Sequence, residues 1–236
     1  MLFRQMFDSV SCTYTYVLAS GIGREAYIID PVKEHTERYL KLISELQLRL
    51  VIAIDTHTHA DHITALGSLR EYSGCRTVMG EQSKAECISY RVRDADVLHA
   101  DELTLRAIHT PGHTDDSFCY FLEHQGTRAV FTGDLLLIRG TGRTDLRGGD
   151  PHQSYRSIVD RLFTLPDETH VYPAHDYRGC TSSTIGEERR YNPRLANHDE
   201  STYVDLMRNL KLSRPMQMDV AVAANLACGE SVKDRR

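Results

Sequence analysis

The sequence has few cysteines, no long apolar run and no excess of positive charge, and each of these absences excludes a class of protein. None of its six cysteines forms a C-x-x-C pair, so we expect reduced thiols rather than a disulfide-stapled scaffold. No apolar run approaches the roughly 18 residues that span a bilayer. Lysine and arginine together number 28 against 33 aspartates and glutamates, so neither a nucleic acid nor a membrane is expected as a partner.

Export and subdivision of the chain are not expected either. The N-terminal residues reach Asp8 before an apolar stretch of signal-peptide length develops, which favours a cytoplasmic protein. A chain of 236 residues can bury about 70% of the surface of its extended form, enough for one core. Because no repeat or low-complexity linker interrupts the chain, we predict one domain over residues 1–236, with a short C-terminal tail from about residue 229.

Apolar periodicity predicts a mixture of strands and helices. Residues 13–18 and 25–29 flank a glycine-containing turn and are rich in β-branched and aromatic side chains, which predicts a hairpin. Residues 33–47 show helical spacing, and the aliphatic run over 48–54 is typical of a strand buried on both faces. The remaining predictions are helices near residues 63, 151, 185 and 203 and strands over 77–79, 104–109, 118–122, 128–131 and 170–172.

Three imidazoles and a carboxylate directly follow the aliphatic run. The chain reads Asp55-Thr56-His57-Thr58-His59-Ala60-Asp61-His62 at this point. In an extended segment, residues two apart point to the same side, so His57 and His59 can converge while Asp61 and His62 reach the same small volume. Imidazole is the commonest metal ligand in proteins. The segment therefore predicts a metal site.

Three later strand ends each add one candidate ligand beside glycine or proline, namely His113, Asp134 and His175. Each has an ordinary structural explanation when taken singly. A strand histidine is often hydrogen-bonded within the core, Asp61 could cap a helix that begins at Ile63, and Asp134 could be a turn residue. The combination favours a metal centre. We predict structural roles for the other histidines, and for His109 a place either in the core or beside the metal ligands as a supporting residue.

These motifs, in this order, resemble the metallo-β-lactamase superfamily. The resemblance implies the metallo-β-lactamase fold, which is of the α/β (α+β) class. This fold is an αββα sandwich of two mixed β-sheets flanked by helices. Several stretches are similar, more specifically, to the persulfide dioxygenases, also called sulfur dioxygenases or the ethylmalonic encephalopathy protein family. They are FRQMF at 3–7, SCTY at 11–14, TGDLLLIRG at 132–140, GRTD at 142–145, YPAHDY at 172–177, EER at 187–189 and NPRL at 192–195.

The resemblance implies one Fe(II) per chain, bound by His57, His113 and Asp134, and oxidation of glutathione persulfide with O₂ to sulfite and glutathione. Two imidazoles and one carboxylate on one face of an octahedron leave three adjacent positions open, as in non-haem iron oxygenases. The sequence retains every ligand that two-metal members of the superfamily use, so counting ligands does not distinguish one metal from two. The expectation of a single iron therefore rests on the resemblance to the persulfide dioxygenases. The residues expected to orient ligands or hold metal-bound waters by hydrogen bonds are His59, Asp61, His62, His175 and Asp176.

Glutathione carries two carboxylates and an amine, so arginines and hydrogen-bonding groups are expected around it. The candidates are Arg139, Arg143, Tyr177 and Arg214. A solvated surface role is equally open for each, and Arg143 could instead pair with Asp145 or Asp176. Family members are often homodimers, which is the expectation here. A sulfurtransferase that supplies the persulfide would be a separate protein, because the sequence shows no rhodanese-like domain.

Two other functions remain open at this point. A glyoxalase II-type thioester hydrolase would use two metals to make a hydroxide that attacks an acyl-glutathione. Such hydrolases share the ligands but append a longer helical domain than the segment that follows His175. The second alternative is a metal-dependent sensor or interaction module on the same fold, which intact ligands argue against.

Overall fold

Two six-stranded mixed β-sheets form the framework of the protein, of which the computed structural model describes residues 1–146, 148–212 and 218–229. The described residues form two compact units. The first comprises residues 1–92, 98–104 and 218–229, and the second comprises 93–97 and 105–212. The single domain over 1–236 stays a prediction, and the part of the predicted tail beyond Gly229 lies outside the described residues.

The first sheet has the strand order β1-β2-β3-β4-β5-β6. Its strands are β1 (Leu2–Asp8), β2 (Thr13–Ala19), β3 (Glu25–Ile29), β4 (Arg49–Ile54), β5 (Arg76–Gly80) and β6 (Tyr90–Val92). The first three strands are antiparallel and the last four pair in parallel. The predicted hairpin and the predicted buried strand β4 are confirmed. Strand β1 is not among the predicted strands, because its apolar residues come in adjacent pairs and do not alternate with polar ones.

Two helices cover crossovers between parallel strands of the first sheet. Helix α1 (Thr36–Glu45) follows a short 3₁₀ turn and α2 (Leu66–Ser73) lies between β4 and β5. Their apolar faces pack against strand residues in one core that includes Val17, Ile28, Tyr39, Ile43, Ala53, Leu66 and Leu69. Helix α2 has Ala65 at its N-cap, so Asp61 does not cap it and that structural explanation is wrong. A further helix, α6 (Met218–Leu226), is absent from the sequence predictions.

The second sheet has the order β14-β13-β10-β9-β8-β7. Its strands are β7 (Val97–Ala100), β8 (Leu103–His109), β9 (Phe118–His124), β10 (Thr127–Gly133), β13 (His170–Pro173) and β14 (Ser183–Thr184). Strands β8, β9 and β10 are antiparallel, and β13 runs parallel to β10. A separate two-stranded ribbon joins β11 (Leu136–Leu137) to β12 (Gly140–Thr141). The prediction of two mixed sheets with helices is therefore confirmed.

The parallel pairing of β10 with β13 contains an irregularity at its carboxyl end. Phe131 pairs with Tyr172 and Gly133 pairs with Pro173, so β10 has one residue more than β13 at this point. Gly133 has a φ of 53°, which glycine adopts at little cost. A bulge of this kind re-aims the side chains that follow it. The next residue after Gly133 is Asp134, one of the predicted metal ligands.

Helices of the second unit pack on their own sheet. Helix α3 (Pro151–Arg156) continues into a π-helical turn (Ser157–Leu162), followed later by α4 (Ile185–Tyr191) and α5 (Glu200–Asn209). Their buried side chains share a core with the strands that includes Val130, Ile158, Leu162, Val171, Ile185, Tyr203 and Met207. In the described part of the chain, no helix is long and apolar enough to cross a membrane.

Cysteine pairing departs from the sequence expectation in one place. Cys12, Cys75, Cys119 and Cys180 form no disulfide within the described residues. Cys87 and Cys228 instead form a disulfide, with a Cα–Cα distance of 5.9 Å, which lies in the usual range for this bond. The expectation that every thiol is reduced is wrong for this pair. The two residues are 141 apart in sequence and belong to no motif, so spacing alone could not reveal them.

Candidate metal-binding residues

The histidine segment of the first unit (residues 56–62) begins at the carboxyl end of β4. The imidazoles of His57, His59 and His62 are 2%, 0% and 3% exposed. Their rings follow one another closely, with centroids 4.2 Å apart for His57 and His59 and 4.3 Å apart for His59 and His62. The structure thus brings together the three histidines that the spacing predicted to converge.

Asp30, at the end of neighbouring strand β3, anchors this segment. Its Oδ1 accepts hydrogen bonds from the backbone N–H of Thr56 at 2.7 Å and from Nε2 of His59 at 3.1 Å. The Nδ1 atom of His59 has no hydrogen-bond partner within the described residues. Burial alone would lower the pKa of His59, but the charge and hydrogen bond of Asp30, with the charges of Asp55 and Asp61, raise it to about 9.

Sequence reasoning missed Asp30, although an Asp-Pro pair at the end of a strand is a signal that could have found it. Residues at the carboxyl ends of adjacent parallel strands lie at the same edge of a sheet, as β3 and β4 do here. Asp30, Asp55 and His59 offer ligand-type atoms within 4.8 Å of one another.

Asp61 and His62 form a second small group in the same unit. Nδ1 of His62 lies 2.8 Å from Oδ2 of Asp61, and the hydroxyl of Thr13 lies 3.3 Å from each of these atoms. His59, Asp61 and His62 together offer ligand-type atoms within 4.8 Å of one another. These three predicted residues are therefore close enough to share hydrogen bonds or an ion.

His113 and Asp134 lie side by side in the second unit. Nε2 of His113 is 3.7 Å from Oδ2 of Asp134. The other ring nitrogen of His113, Nδ1, donates a hydrogen bond to the backbone carbonyl of Arg143 at 2.7 Å. A carbonyl can only accept, so Nδ1 carries a proton, which leaves Nε2, on the side of Asp134, as the ring nitrogen available to a metal. This is the tautomer that a metal ligand requires.

His175 holds the other oxygen of the same carboxylate. Its Nδ1 lies 2.5 Å from Oδ1 of Asp134, and the His175 ring is 1% exposed. The neighbouring residue Asp176 accepts from the backbone N–H groups of Arg178 and Cys180 at 2.7 and 2.8 Å. Asp176 thus organises its own loop, and a role for it beside a metal stays a prediction.

Two glycines allow the backbone to pass close to these ligands. A Cβ on Gly142 would lie 1.8 Å from the carbonyl oxygen of Asp134 and 3.1 Å from Nδ1 of His113. Gly112, directly before His113, has a φ of +143°, and a Cβ there would lie 2.3 Å from Cα of Ser154. Neither position accepts a side chain without moving the backbone that carries His113 and Asp134.

The side chains predicted to bind the substrate differ in how many contacts they already make within the protein. The guanidinium of Arg139 pairs with Glu188 and with Glu187, the latter at 2.8 Å, and lies over the ring of Tyr191. Hydrogen bonding to Glu187, together with the charges of both glutamates, raises the pKa of Arg139 above its ordinary value. These contacts favour the structural alternative for Arg139.

Arg143 makes two parallel hydrogen bonds to Asp145, at 2.7 and 2.8 Å, which is one of the two pairings left open by the sequence. Tyr177 is 71% exposed, and its ring stacks at 6.1 Å on the imidazole of His175. Tyr177 is therefore accessible to a ligand beside a residue that contacts Asp134. Arg214 lies outside the described residues.

Comparison with known proteins defines the class to which this fold and these residues belong. Residues 11–175 match the metallo-β-lactamase superfamily. The human protein named persulfide dioxygenase ETHE1, mitochondrial, is 46% identical over 230 residues, which cover 97% of this chain and 89% of the human protein. The crystal structure of ETHE1 from Myxococcus xanthus superposes with a TM-score of 0.93 at 49% identity, covering 98% of this chain and 100% of that one.

This chain belongs to the persulfide dioxygenase family within that superfamily. A probable hydroxyacylglutathione hydrolase of Schizosaccharomyces pombe is more distant, at 32% identity over 80% of this chain and 84% of that protein. The resemblance inferred from the sequence motifs is confirmed, and the fold with it.

Proposed function

We propose that this protein oxidises glutathione persulfide with O₂ to sulfite and glutathione. The observation that carries the proposal is the near full-length identity of 46% to 49% with two proteins named as members of the persulfide dioxygenase family. The reaction balances as one persulfide, one O₂ and one water giving one thiol and one sulfurous acid. Two oxygens of the product therefore come from O₂ and the third from water.

The proposed metal ligands are His57, His113 and Asp134. The donors fit a ferrous ion, since two neutral imidazoles and one carboxylate are the set that non-haem iron oxygenases use. In the second unit, the 3.7 Å between Nε2 of His113 and Oδ2 of Asp134 is near the roughly 3 Å that separates adjacent ligands around an ion at about 2.1 Å. Bound iron would supply the electrons that activate O₂ beside the sulfur.

The protein's own contribution is positioning. The Arg143 carbonyl fixes the ring of His113, and His175 fixes one oxygen of Asp134, so neither side chain has to reorganise when an ion binds. The exposed phenol of Tyr177 can receive a polar group of glutathione next to that pair. Arg143 and Arg214 remain proposed contacts for the glutathione carboxylates, whereas the ion pairs of Arg139 with Glu187 and Glu188 favour a structural role for that residue.

One iron, rather than two metals, is part of the proposal. It rests on membership of the persulfide dioxygenase family, and it assigns the ion to His57, His113 and Asp134.

Thioester hydrolysis is the second candidate. The close grouping of His59, Asp61 and His62 and the hydrolase relative in Schizosaccharomyces pombe favour it. Protein purified without oxygen and loaded with Fe(II) would separate the candidates. We expect one iron per chain by metal analysis, O₂ uptake with glutathione persulfide and release of sulfite. Two zinc ions per chain in the protein as purified, together with hydrolysis of lactoylglutathione, would overturn the dioxygenase proposal.

The proposal also includes a homodimer, a cytoplasmic location and a separate sulfurtransferase that supplies the persulfide. The human relative is named as mitochondrial, so fractionation of the source cell is the direct test of location. Size-exclusion chromatography with light scattering tests the dimer.

A further inference from the structure

The C-terminal segment (residues 218–229, helix α6 and the turn that follows it) is fastened to three separate parts of the first unit. The backbone N–H of Glu86 donates to the carbonyl of Leu226 at 2.9 Å, and that of Gly67 donates to the carbonyl of Cys228 at 3.2 Å. Lys33 donates to the carbonyl of Gly229. A Cβ at position 67 would lie 2.5 Å from the Cys228 carbonyl oxygen, so this close approach requires glycine.

Asn225 connects this segment to the backbone of the histidine segment. Its amide is buried, and Nδ2 donates to the carbonyl oxygens of His59 at 2.9 Å and His62 at 2.8 Å. Its Oδ1 accepts from the backbone N–H of Thr64 at 2.9 Å. Because one partner is a donor and two are acceptors, the amide can take only this orientation. A single side chain thereby sets the spacing of three backbone groups over residues 59–64.

The disulfide between Cys87 and Cys228 holds Asn225 in place. Cys228 lies one helical turn after Asn225, and its backbone N–H donates to the Asn225 carbonyl at 3.0 Å. Cys228 is buried in the core of the first unit, against which Cys87 also packs. A covalent bond at this point restrains the short segment that carries the amide, in addition to the hydrogen bonds already described.

We propose that the C-terminal segment is a redox-controlled clamp on the histidine segment, in which Asn225 is the positioning residue and the Cys87–Cys228 disulfide keeps it engaged. The proposal rests on the proposed function and extends it, because the clamped residues 59–64 directly follow the proposed iron ligand His57 in the chain. Opening requires a dithiol. One of its thiolates attacks a sulfur of the Cys87–Cys228 bond and forms a mixed disulfide with that cysteine. Its second thiol then attacks the mixed disulfide, so that the dithiol leaves as a cyclic disulfide and Cys87 and Cys228 each gain a hydrogen.

Hydrogen exchange of the metal-free protein tests the clamp without reference to activity. We expect the amides of residues 56–64 to exchange about tenfold faster after reduction with dithiothreitol, since local opening loses its restraint. Peptides from β9 and β10 of the second unit serve as the internal control and should not change. Exchange over 56–64 that is unaffected by reduction would overturn the proposal.

The variant Cys228→Ser separates the disulfide from other effects of the reductant. In the absence of dithiothreitol it should exchange over residues 56–64 like the reduced wild-type protein, and dithiothreitol should change nothing further. If the reductant accelerates exchange in this variant as well, the Cys87–Cys228 bond is not responsible and the proposal fails.

Asn225→Asp removes the two donors while keeping the shape and the acceptor for Thr64. We expect faster exchange over 56–64 and a metal affinity about tenfold weaker, measured by titration with Co(II) and its absorption spectrum. Asn209→Asp, at the exposed end of α5, is the matched control. Unchanged exchange and affinity in Asn225→Asp would contradict the positioning role. Wild-type protein that shows the exchange response to reduction but has no dioxygenase activity would contradict the proposed function and leave the clamp intact.

Discussion

Asp134 is hydrogen-bonded through Oδ1 to Nδ1 of His175 at 2.5 Å, while its second oxygen, Oδ2, lies 3.7 Å from Nε2 of His113. The two oxygens of one carboxylate thus have different tasks. One fixes the orientation of the group, and the other is presented to a ligating imidazole. This arrangement is the basis of the first two predictions.

Removing a proposed ligand should remove the metal. We expect His57→Ala, His113→Ala and Asp134→Ala to fall from about one iron per chain to almost none, because a site with two protein donors binds weakly. His62→Ala should keep most of its iron. Metal analysis of the four purified proteins gives the comparison, and equal loss in all four would mean that ligands and supporting residues are wrongly divided.

Removing the support of Asp134 should weaken the metal without abolishing it. We expect His175→Ala to bind Fe(II) roughly 10- to 100-fold more weakly, the usual cost of losing a hydrogen-bonded partner of a ligand. A competition titration with a chelator measures the change. His170→Ala, at an exposed strand position, is the control and should bind iron normally.

Gly142 should be irreplaceable at the metal site. In Gly142→Ala the new Cβ meets the carbonyl oxygen of Asp134 at 1.8 Å, so the backbone must shift and the paired ligands separate. We expect loss of iron binding. Gly140→Ala is a matched control two residues away, where the nearest atom to a Cβ is 3.9 Å distant. An alanine at 142 that binds iron as well as one at 140 would contradict the geometry.

Arg139 should matter for stability more than for substrate. Its partner Glu188 has a fully buried side chain, and Arg139→Ala leaves that carboxylate without its cation. We expect a loss of about 3 kcal/mol in the free energy of unfolding with little change in KM for glutathione persulfide. Urea unfolding and steady-state kinetics test the two parts. A raised KM with normal stability would restore Arg139 as a substrate contact.

Acid should weaken the attachment of Asp8 to Ser11 and His35. Burial opposes ionisation of Asp8, but hydrogen bonds from Ser11 and His35 outweigh it and hold its pKa below the ordinary 3.8. Because the folded protein has the lower value, the stabilisation is present above pH 3.8 and is lost as the pH falls through the folded-state pKa. Denaturant unfolding should therefore show a smaller difference between wild type and Asp8→Asn at pH 3 than at pH 7.

Much of the fold follows from apolar pattern. The spacing of Tyr39 and Ile43 predicted α1, and the aliphatic run at 48–54 predicted the central strand β4. Helix α6 was not predicted because most of its residues are apolar and they form no amphipathic stripe, so periodicity offers no signal.

The candidate site was predictable as a set of residue types but not as a set of contacts. Strand-end histidines and Asp134 stand out by their neighbours in sequence. The Asp-Pro pair could have marked Asp30 as a candidate, but not its hydrogen bond to His59, which lies 29 positions later. Asn225 bonds His59 across more than 160 positions, and no local pattern indicates it. Likewise, the carboxylates that occupy Arg139 come from α4, nearly 50 positions downstream.

The bulge between β10 and β13 has a consequence for insertions and deletions. Asp134 directly follows the slip in register between Phe131 and Gly133, and side chains alternate with a period of two along a strand. A residue added or removed between 131 and 134 would turn the carboxylate to the opposite face of the sheet. The same change in the turn at Gln125 and Gly126, upstream of the slip, would be absorbed by the loop. Natural length variation among relatives should accordingly collect at the hairpin and avoid the three residues after Phe131.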